Sequence, residues 1–172
     1  MKLVAYNDPL LKEVMPIFDF AEEDSGKIAW DLANAMHELG GIGLAANQVG
    51  LRVRAFAIAS NPVMVMFNPE IVDYTSEDVI TLEESCLSYP GLVVKVTRPK
   101  SIKIRYTLPN KETKTDKFTG MTARIIQHEI EHLDGKRFFD VVDWWEREKV
   151  KKWFKQAKRK YDSAIEFAEY GN

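Results

Sequence analysis

Cysteine is the scarcest chemistry in this sequence: Cys86 stands alone, which excludes an intrachain disulfide framework. The chain opens Met1-Lys2-Leu3-Val4 and reaches Asp8-Pro9 with no apolar signal segment and no Arg/Ser-rich transit segment. A lone thiol in such a chain fits a reducing cytoplasm. Long apolar runs are also missing. No window approaches the ~20 residues a membrane-spanning helix needs, so no membrane role is expected. Nor is there an excess of one charge: a formal net charge of -2 on 172 residues argues against wholesale or sequence-specific nucleic-acid binding. No internal repeat, low-complexity tract or flexible linker divides the chain. Its length suffices for one packed core, and a single domain over 1–172 is expected.

Histidine is sparse too, yet two of the three, His128 and His132, stand four apart in Gln127-His128-Glu129-Ile130-Glu131-His132. On a helix this spacing puts both imidazoles on one face, a turn apart, which suits a divalent metal. Glu129 is then placed to handle the proton of a water activated there. The plain alternative is a chance pair of histidines on a charged helix. Met121, Ile125, His128 and His132 fall at i, i+4, i+7 and i+11, with Ile126, Ile130 and Leu133 in a parallel row. So much apolar circumference predicts a central, buried helix, with Thr119 or Thr122 as its cap and Gly135 as its stop.

The rest of the chain frames that helix. Residues 1–20 read as irregular, broken by Asp8-Pro9 and Met15-Pro16. Residues 25–39 read as a helix with Asp24 or Ser25 as cap and Gly40-Gly41 as terminator, carrying His37 as a surface residue. The following Gly41-Ile42-Gly43-Leu44-Ala45-Ala46-Asn47-Gln48 contains G-x-G-x-x-A. A dinucleotide fingerprint must follow a strand and open a helix, whereas here a helix precedes and a strand follows. The run is instead a place where glycine and alanine admit close approach, with Gln48 as the side chain offering useful donors. Residues 51–118 read as β structure: strands at 53–59 and 63–67, a pair formed by 71–74 and 79–82, and strands at 92–96 and 102–106 with Arg98-Pro99 between them. Leu108-Pro109-Asn110-Lys111 predicts a turn into an exposed edge strand, 113–118, bearing Lys114 and Lys117. Residues 143–169 read as a long helix. Val150, Trp153, Phe154, Ala157, Tyr161, Ala164, Ile165 and Ala168 form its docking stripe, and Lys and Arg side chains dominate the other faces.

Two histidines need a third ligand. The pattern His-Glu-x-x-His-x-x-Gly-x-x-His matches through Gly135 but has Phe138 where its last histidine belongs, so that metalloprotease form is excluded. Glu146 and Glu148 are formal candidates from the charged terminal helix. The remaining one is Cys86, in Glu83-Glu84-Ser85-Cys86-Leu87-Ser88-Tyr89-Pro90-Gly91. A Cys/His/His set with water in the fourth position is a valid open catalytic site, and a thiolate with two imidazoles accepts zinc or ferrous iron.

The segments Gly41 to Gln48, Glu84-Ser85-Cys86-Leu87-Ser88 and Gln127 to His132 resemble, in order, the three signature motifs of peptide deformylases, and the similarity runs from Asn7-Asp8-Pro9 to Phe138. The resemblance implies an α+β fold with antiparallel or mixed β-sheets around a central metal-binding helix, plus an N-terminal helix and a long C-terminal helix. It implies a hydrolase that removes the N-formyl group from the N-terminal methionine of new polypeptides, releasing formate. Cys86, His128 and His132 would hold the metal and Glu129 would carry protons. The Gln48 amide and the Leu87 backbone N–H would serve the oxyanion. Ile42, Gly43, Ser85, Leu87, Ile125 and His128 would border the substrate. Ferrous iron is the physiological metal it suggests, with Zn2+, Ni2+ or Co2+ in purified protein. The terminal helix (143–170) resembles the extension of a bacterial subtype in which it is associated with ribosome docking. One departure stands out: the family has glycine at the position of Ser85. If that backbone needs a positive φ, serine costs about 1 kcal/mol or more, and it adds a side chain where peptide is expected to run. Two other functions share these residues: a metallopeptidase or amidohydrolase acting on another acyl group, and a metal-stabilised interaction module using the basic terminal helix.

Overall fold

The computed structural model describes residues 1–75 and 77–170, with 162–170 as helix backbone only. After a single 3-10 turn at Pro9–Lys12, helix α1 spans Ser25–Glu38. It begins where the Asp24 carboxylate accepts the Lys27 N–H at 2.9 Å and ends at Gly40, whose φ of +68° closes the last turn. Seven strands follow: β1 (Gly43–Ala45), β2 (Ala55–Ile58), β3 (Met64–Asp73), β4 (Val79–Glu84), β5 (Val94–Pro99), β6 (Ser101–Thr107) and β7 (Thr113–Thr119). Five of them form a sheet in the order β1-β2-β3-β6-β7, while β4 and β5 form a separate two-stranded sheet. Every pairing is antiparallel.

The larger sheet is covered on both faces, and β2 shows why its four residues are all apolar. Phe56 and Ile58 point into one cluster with Met66, Ile102 and Ile104, whereas Ala55 and Ala57 point into another with Val65 and Phe67. Helix α2 (Gly120–Leu133) closes the first cluster with Ala123, Ile126, Ile130 and Leu133. Helix α1 closes the second with Ala29, Leu32, Ala35 and Met36. The two helices therefore lie on opposite faces of one sheet. His37 is exposed, as expected of it. Strand β7 is the edge strand, and Lys117 on it is exposed.

Three expectations are corrected. Residues 63–67 and 71–74 are not two strands but parts of the ten-residue β3, whose register shifts between Phe67 and Glu70 accommodate Asn68-Pro69. Asn68, at φ 49°, uses its amide to bond both the N–H (2.7 Å) and the carbonyl (3.0 Å) of Phe18. Residues 79–82 do not pair with 71–74: Ile71 and Asp73 pair with Ile104 and Lys103 of β6, and every residue of β4 pairs with β5. The row Met121, Ile125, His128 is not uniformly buried either: His128 is buried and Ile125 half-buried against the core. Met121 is 58% exposed, and all three face a cleft between α2 and the smaller sheet. Thr119 occupies the N-cap of α2 without a side-chain capping bond.

Helix α3 (Trp144–Tyr170) docks Val150, Trp153 and Phe154 on a third cluster that includes Leu11, Tyr89, Leu92, Val94, Phe138 and Phe139. Ala157 is buried, and Tyr161 lies against Tyr6 at 5.7 Å. Ala164, Ile165 and Ala168 fall outside the described side chains. Among the described residues, no helix is long and apolar enough to cross a membrane.

Candidate active site

Three elements meet at the inner end of the cleft. Cys86 lies two residues beyond the end of β4, His128 and His132 project from α2, and Gln48 sits in the 3-10 turn Ala46–Val49 directly after β1. Cys86 Sγ lies 3.2 Å from His132 Nε2, and ligand atoms of Cys86, His128 and His132 all fall within 4.8 Å of one another. Tetrahedral coordination with metal–sulfur near 2.3 Å and metal–nitrogen near 2.0 Å needs donor separations of roughly 3.5 Å, so the set fits a metal of the zinc or ferrous class. His132 Nδ1 is buried without a partner, and burial pushes the ring's pKa well down, towards the neutral form that coordinates. His128 goes the other way: its burial is outweighed by hydrogen bonds to Cys86 and Glu84, which raise it to about 10. The pocket around its ring favours a positive charge, and a metal cation held by Cys86, His128 and His132 would take the place of that proton.

Glu129 is 4% exposed and its Oε2 has no hydrogen-bond partner. Burial raises its carboxyl to about 7, against the pull of His128 and Arg98. Such a group both accepts and releases a proton near neutrality. Gln48 is oriented from both ends of its amide. Oε1 accepts the Ala45 N–H at 2.9 Å, while Nε2 donates to Ser88 Oγ at 3.0 Å and faces Cys86 Sγ at 3.4 Å. Its neighbour Asn47 donates Nδ2 to the His132 carbonyl at 2.7 Å, tying this turn to the end of α2.

The cleft has a volume of about 730 Å³, and Ile42, Gly43, Ser85, Leu87, Ile125 and His128 all line it. The close approach read into the glycine run is real at Gly43, where a Cβ would press on the Glu129 carboxylate and come within 2.9 Å of Ile125. Ser85 is exposed, and its φ is not positive, so the strain that serine would have caused there does not arise. Neither downstream glutamate approaches the site. Glu146 accepts the Lys95 N–H at 2.8 Å and pairs with Lys149, and Glu148 pairs with Lys151. Phe138, in place of the protease histidine, packs its ring against His128 at 5.3 Å.

Sequence reasoning missed the charged support behind the histidines. Glu84 accepts His128 Nδ1 at 3.1 Å, Arg98 Nε and Nη2 at 2.6 and 2.9 Å, and Arg124. Burial alone would raise its carboxyl, but the bonds from His128 and Arg98 prevail and hold it at about 2. Arg98 also reaches Glu131 at 2.7 and 3.0 Å. Fixing the far nitrogen of a ligating imidazole sets its tautomer and aims the other nitrogen. The overlooked signal was Arg124, a charge set in an apolar helix row one turn before His128.

Residues 1–148 match the family model described as polypeptide deformylase. A peptide deformylase of Endomicrobium trichonymphae is 37% identical over 166 residues, covering 94% of this chain and 98% of the relative. A crystal structure of peptide deformylase from Plasmodium falciparum aligns with a TM-score of 0.86 at 30% identity, covering 94% of this chain and 98% of that one. Arabidopsis thaliana peptide deformylase 1B, in complex with an inhibitor, gives a TM-score of 0.87 at 30% identity, covering 95% and 93%. Taken with the Cys/His/His geometry on α2 and β4, these likenesses lead to one conclusion: the chain belongs to the polypeptide deformylase family.

Proposed function

We propose that this chain hydrolyses the formamide of N-formyl-methionyl nascent peptides, releasing formate and a free amino terminus. The observation that carries the reading is the buried carboxyl of Glu129, whose Oε2 has no hydrogen-bond partner, beside an open Cys/His/His donor set on the floor of a cleft. Cys86, His128 and His132 would hold the metal, ferrous iron as the physiological one, with Zn2+, Ni2+ or Co2+ able to take its place. When bound, it supplies Lewis acidity and lowers the pKa of a water there towards about 7. Glu129 accepts the proton of the attacking water and returns a proton to the amine nitrogen as the C–N bond breaks. The Gln48 Nε2 donor, fixed by Ala45, and the Leu87 backbone N–H stabilise the oxyanion. Ile42, Leu87 and Ile125 offer apolar surface to the methionine side chain, and Gly43, Ser85 and His128 complete the border of the substrate site.

Protein purified anaerobically with iron is expected to release formate from formyl-Met-Ala-Ser. Glu129→Ala should abolish release while retaining the metal. Absence of formate from every formyl-Met peptide would sink the reading, and cleavage of unformylated peptides alone would favour a metallopeptidase. We further assign a single domain over 1–172, a cytoplasmic location and a ribosome contact through the basic face of α3, where Lys152, Lys155 and Lys158 are exposed. Co-sedimentation with ribosomes that weakens as salt is raised tests that contact.

A further inference from the structure

We propose that Arg124 is a positioning residue that locks the orientation of His128 and the cleft-side strand β4 into one unit. Arg124 lies one helical turn before His128, so the two side chains leave the same face of α2. It is 4% exposed and engaged at three points. One nitrogen, Nη1, donates to Glu84 and to the Val96 carbonyl at 3.0 Å, and Nη2 donates to the Ile80 carbonyl at 2.5 Å.

These acceptors do different things. Glu84 accepts a hydrogen bond from His128 Nδ1, leaving Nε2 to the donor set, so whatever holds Glu84 also aims His128. Ile80 and Val96 belong to β4 and β5, the small sheet that is not hydrogen-bonded as a ladder to the larger one. Strand β4 pairs with β5 alone, and Glu83 and Glu84 at its end, with Ser85 just beyond, form a wall of the cleft. Arg98 also grips Glu84, but its guanidinium spends its other bonds on Glu131 and reaches neither carbonyl. Arg124 is thus the guanidinium that joins the carboxylate behind His128 to the backbone of the cleft wall. The planar fork of arginine spans several acceptors at once, which a lysine ammonium does not.

This role rests on the metal reading of Cys86, His128 and His132, and the test separates the two. Cobalt-loaded protein is compared with Arg124→Lys and Arg124→Met by release of cobalt to a chelator, by the cobalt visible spectrum, by thermal melting, and by kcat and KM for a formyl-Met peptide. Arg124→Met should release cobalt about tenfold faster or more, with an altered spectrum and a kcat lowered by a similar factor. Arg124→Lys keeps a charge beside Glu84 but loses the carbonyl anchors. It should retain cobalt nearly as well as the unmodified protein while KM rises several-fold. A lowered melting temperature with unchanged cobalt release, spectrum, kcat and KM marks a merely structural arginine and overturns the proposal. If the methionine variant does not fold, the lysine variant decides, and an unchanged KM there overturns the link to the cleft wall. Unmodified protein that takes up no cobalt refutes the metal reading, and this inference with it. Normal uptake with unchanged release from Arg124→Met refutes only the role of Arg124.

Discussion

A side chain on residue 43 and the carboxylate of Glu129 cannot share their present positions, because a Cβ on Gly43 would press on Glu129 and come within 2.9 Å of Ile125. Gly43→Ala should therefore displace the proton carrier while leaving the three ligands, none of which is among the close neighbours of that Cβ, in place. Misplacing a reacting group by about 1 Å costs on the order of 10²-fold, so formate release should fall about that far with metal content unchanged. Gln48→Ala tests a different contribution. Removing one oxyanion donor lowers kcat about 10²–10³-fold, and steady-state formate assays should find the loss mostly in kcat. At this scale the sequence was readable where chemistry restricts the residue type: His128, Glu129 and His132 stood in a motif whose spacing has few other uses, whereas Cys86 and Gln48 took their meaning from the resemblance of their segments to the family's motifs. Glu84, Arg98 and Arg124 were not readable. A charged residue looks like a solvated one until pairing across 14 to 44 residues buries it. The cost of Ser85 was left open for a related reason, since it depended on a φ that no spacing reveals.

Helix α2 is built with two working faces, and its periodicity showed both rows without showing which one met the core. Ile126, Ile130 and Leu133 pack on the sheet, whereas Met121 and Ile125 line the cleft. Strand pairing was the least legible feature, because apolar alternation marks a strand but not its neighbour. Only the register shows that Ile71 and Asp73 pair with β6 while all of β4 pairs with β5. The end of α2 was marked in the sequence by Gly135, and its environment is more demanding than a simple stop. At φ +67° it lies where a Cβ would come within 2.5 Å of the Lys12 carbonyl oxygen. Beside it, the Met15 N–H donates to the Leu133 carbonyl at 2.8 Å, so the N-terminal segment is laced to the end of the helix. Gly135→Ala should lower unfolding stability by about 2 kcal/mol or more. The denaturant midpoint should fall with an unchanged slope.

Across the whole molecule, the buried carboxylate of Glu84 joins the small sheet to α2 through Arg98, Arg124 and His128. Its carboxyl titrates at 4.5 in the unfolded chain and at about 2 in the native one. The stability it contributes is therefore complete above about pH 4.5 and is lost as the pH falls towards 2. Circular dichroism with decreasing pH should show progressive destabilisation across that window, and Arg98→Met, which removes two of the bonds to Glu84, should move the transition to higher pH. At the loop joining β4 to β5, the Trp153 indole N–H donates to the Pro90 carbonyl at 2.8 Å, and its ring meets Tyr89 at 5.7 Å. Pro90 is four residues beyond Cys86. The other tryptophans, Trp30, Trp144 and Trp145, are 70%, 59% and 73% exposed and emit from water whatever this loop does. With those three replaced by phenylalanine, the protein would carry a single fluorophore fastened to the thiol-bearing loop, and the colour of its emission would report, in real time, whether that loop is seated.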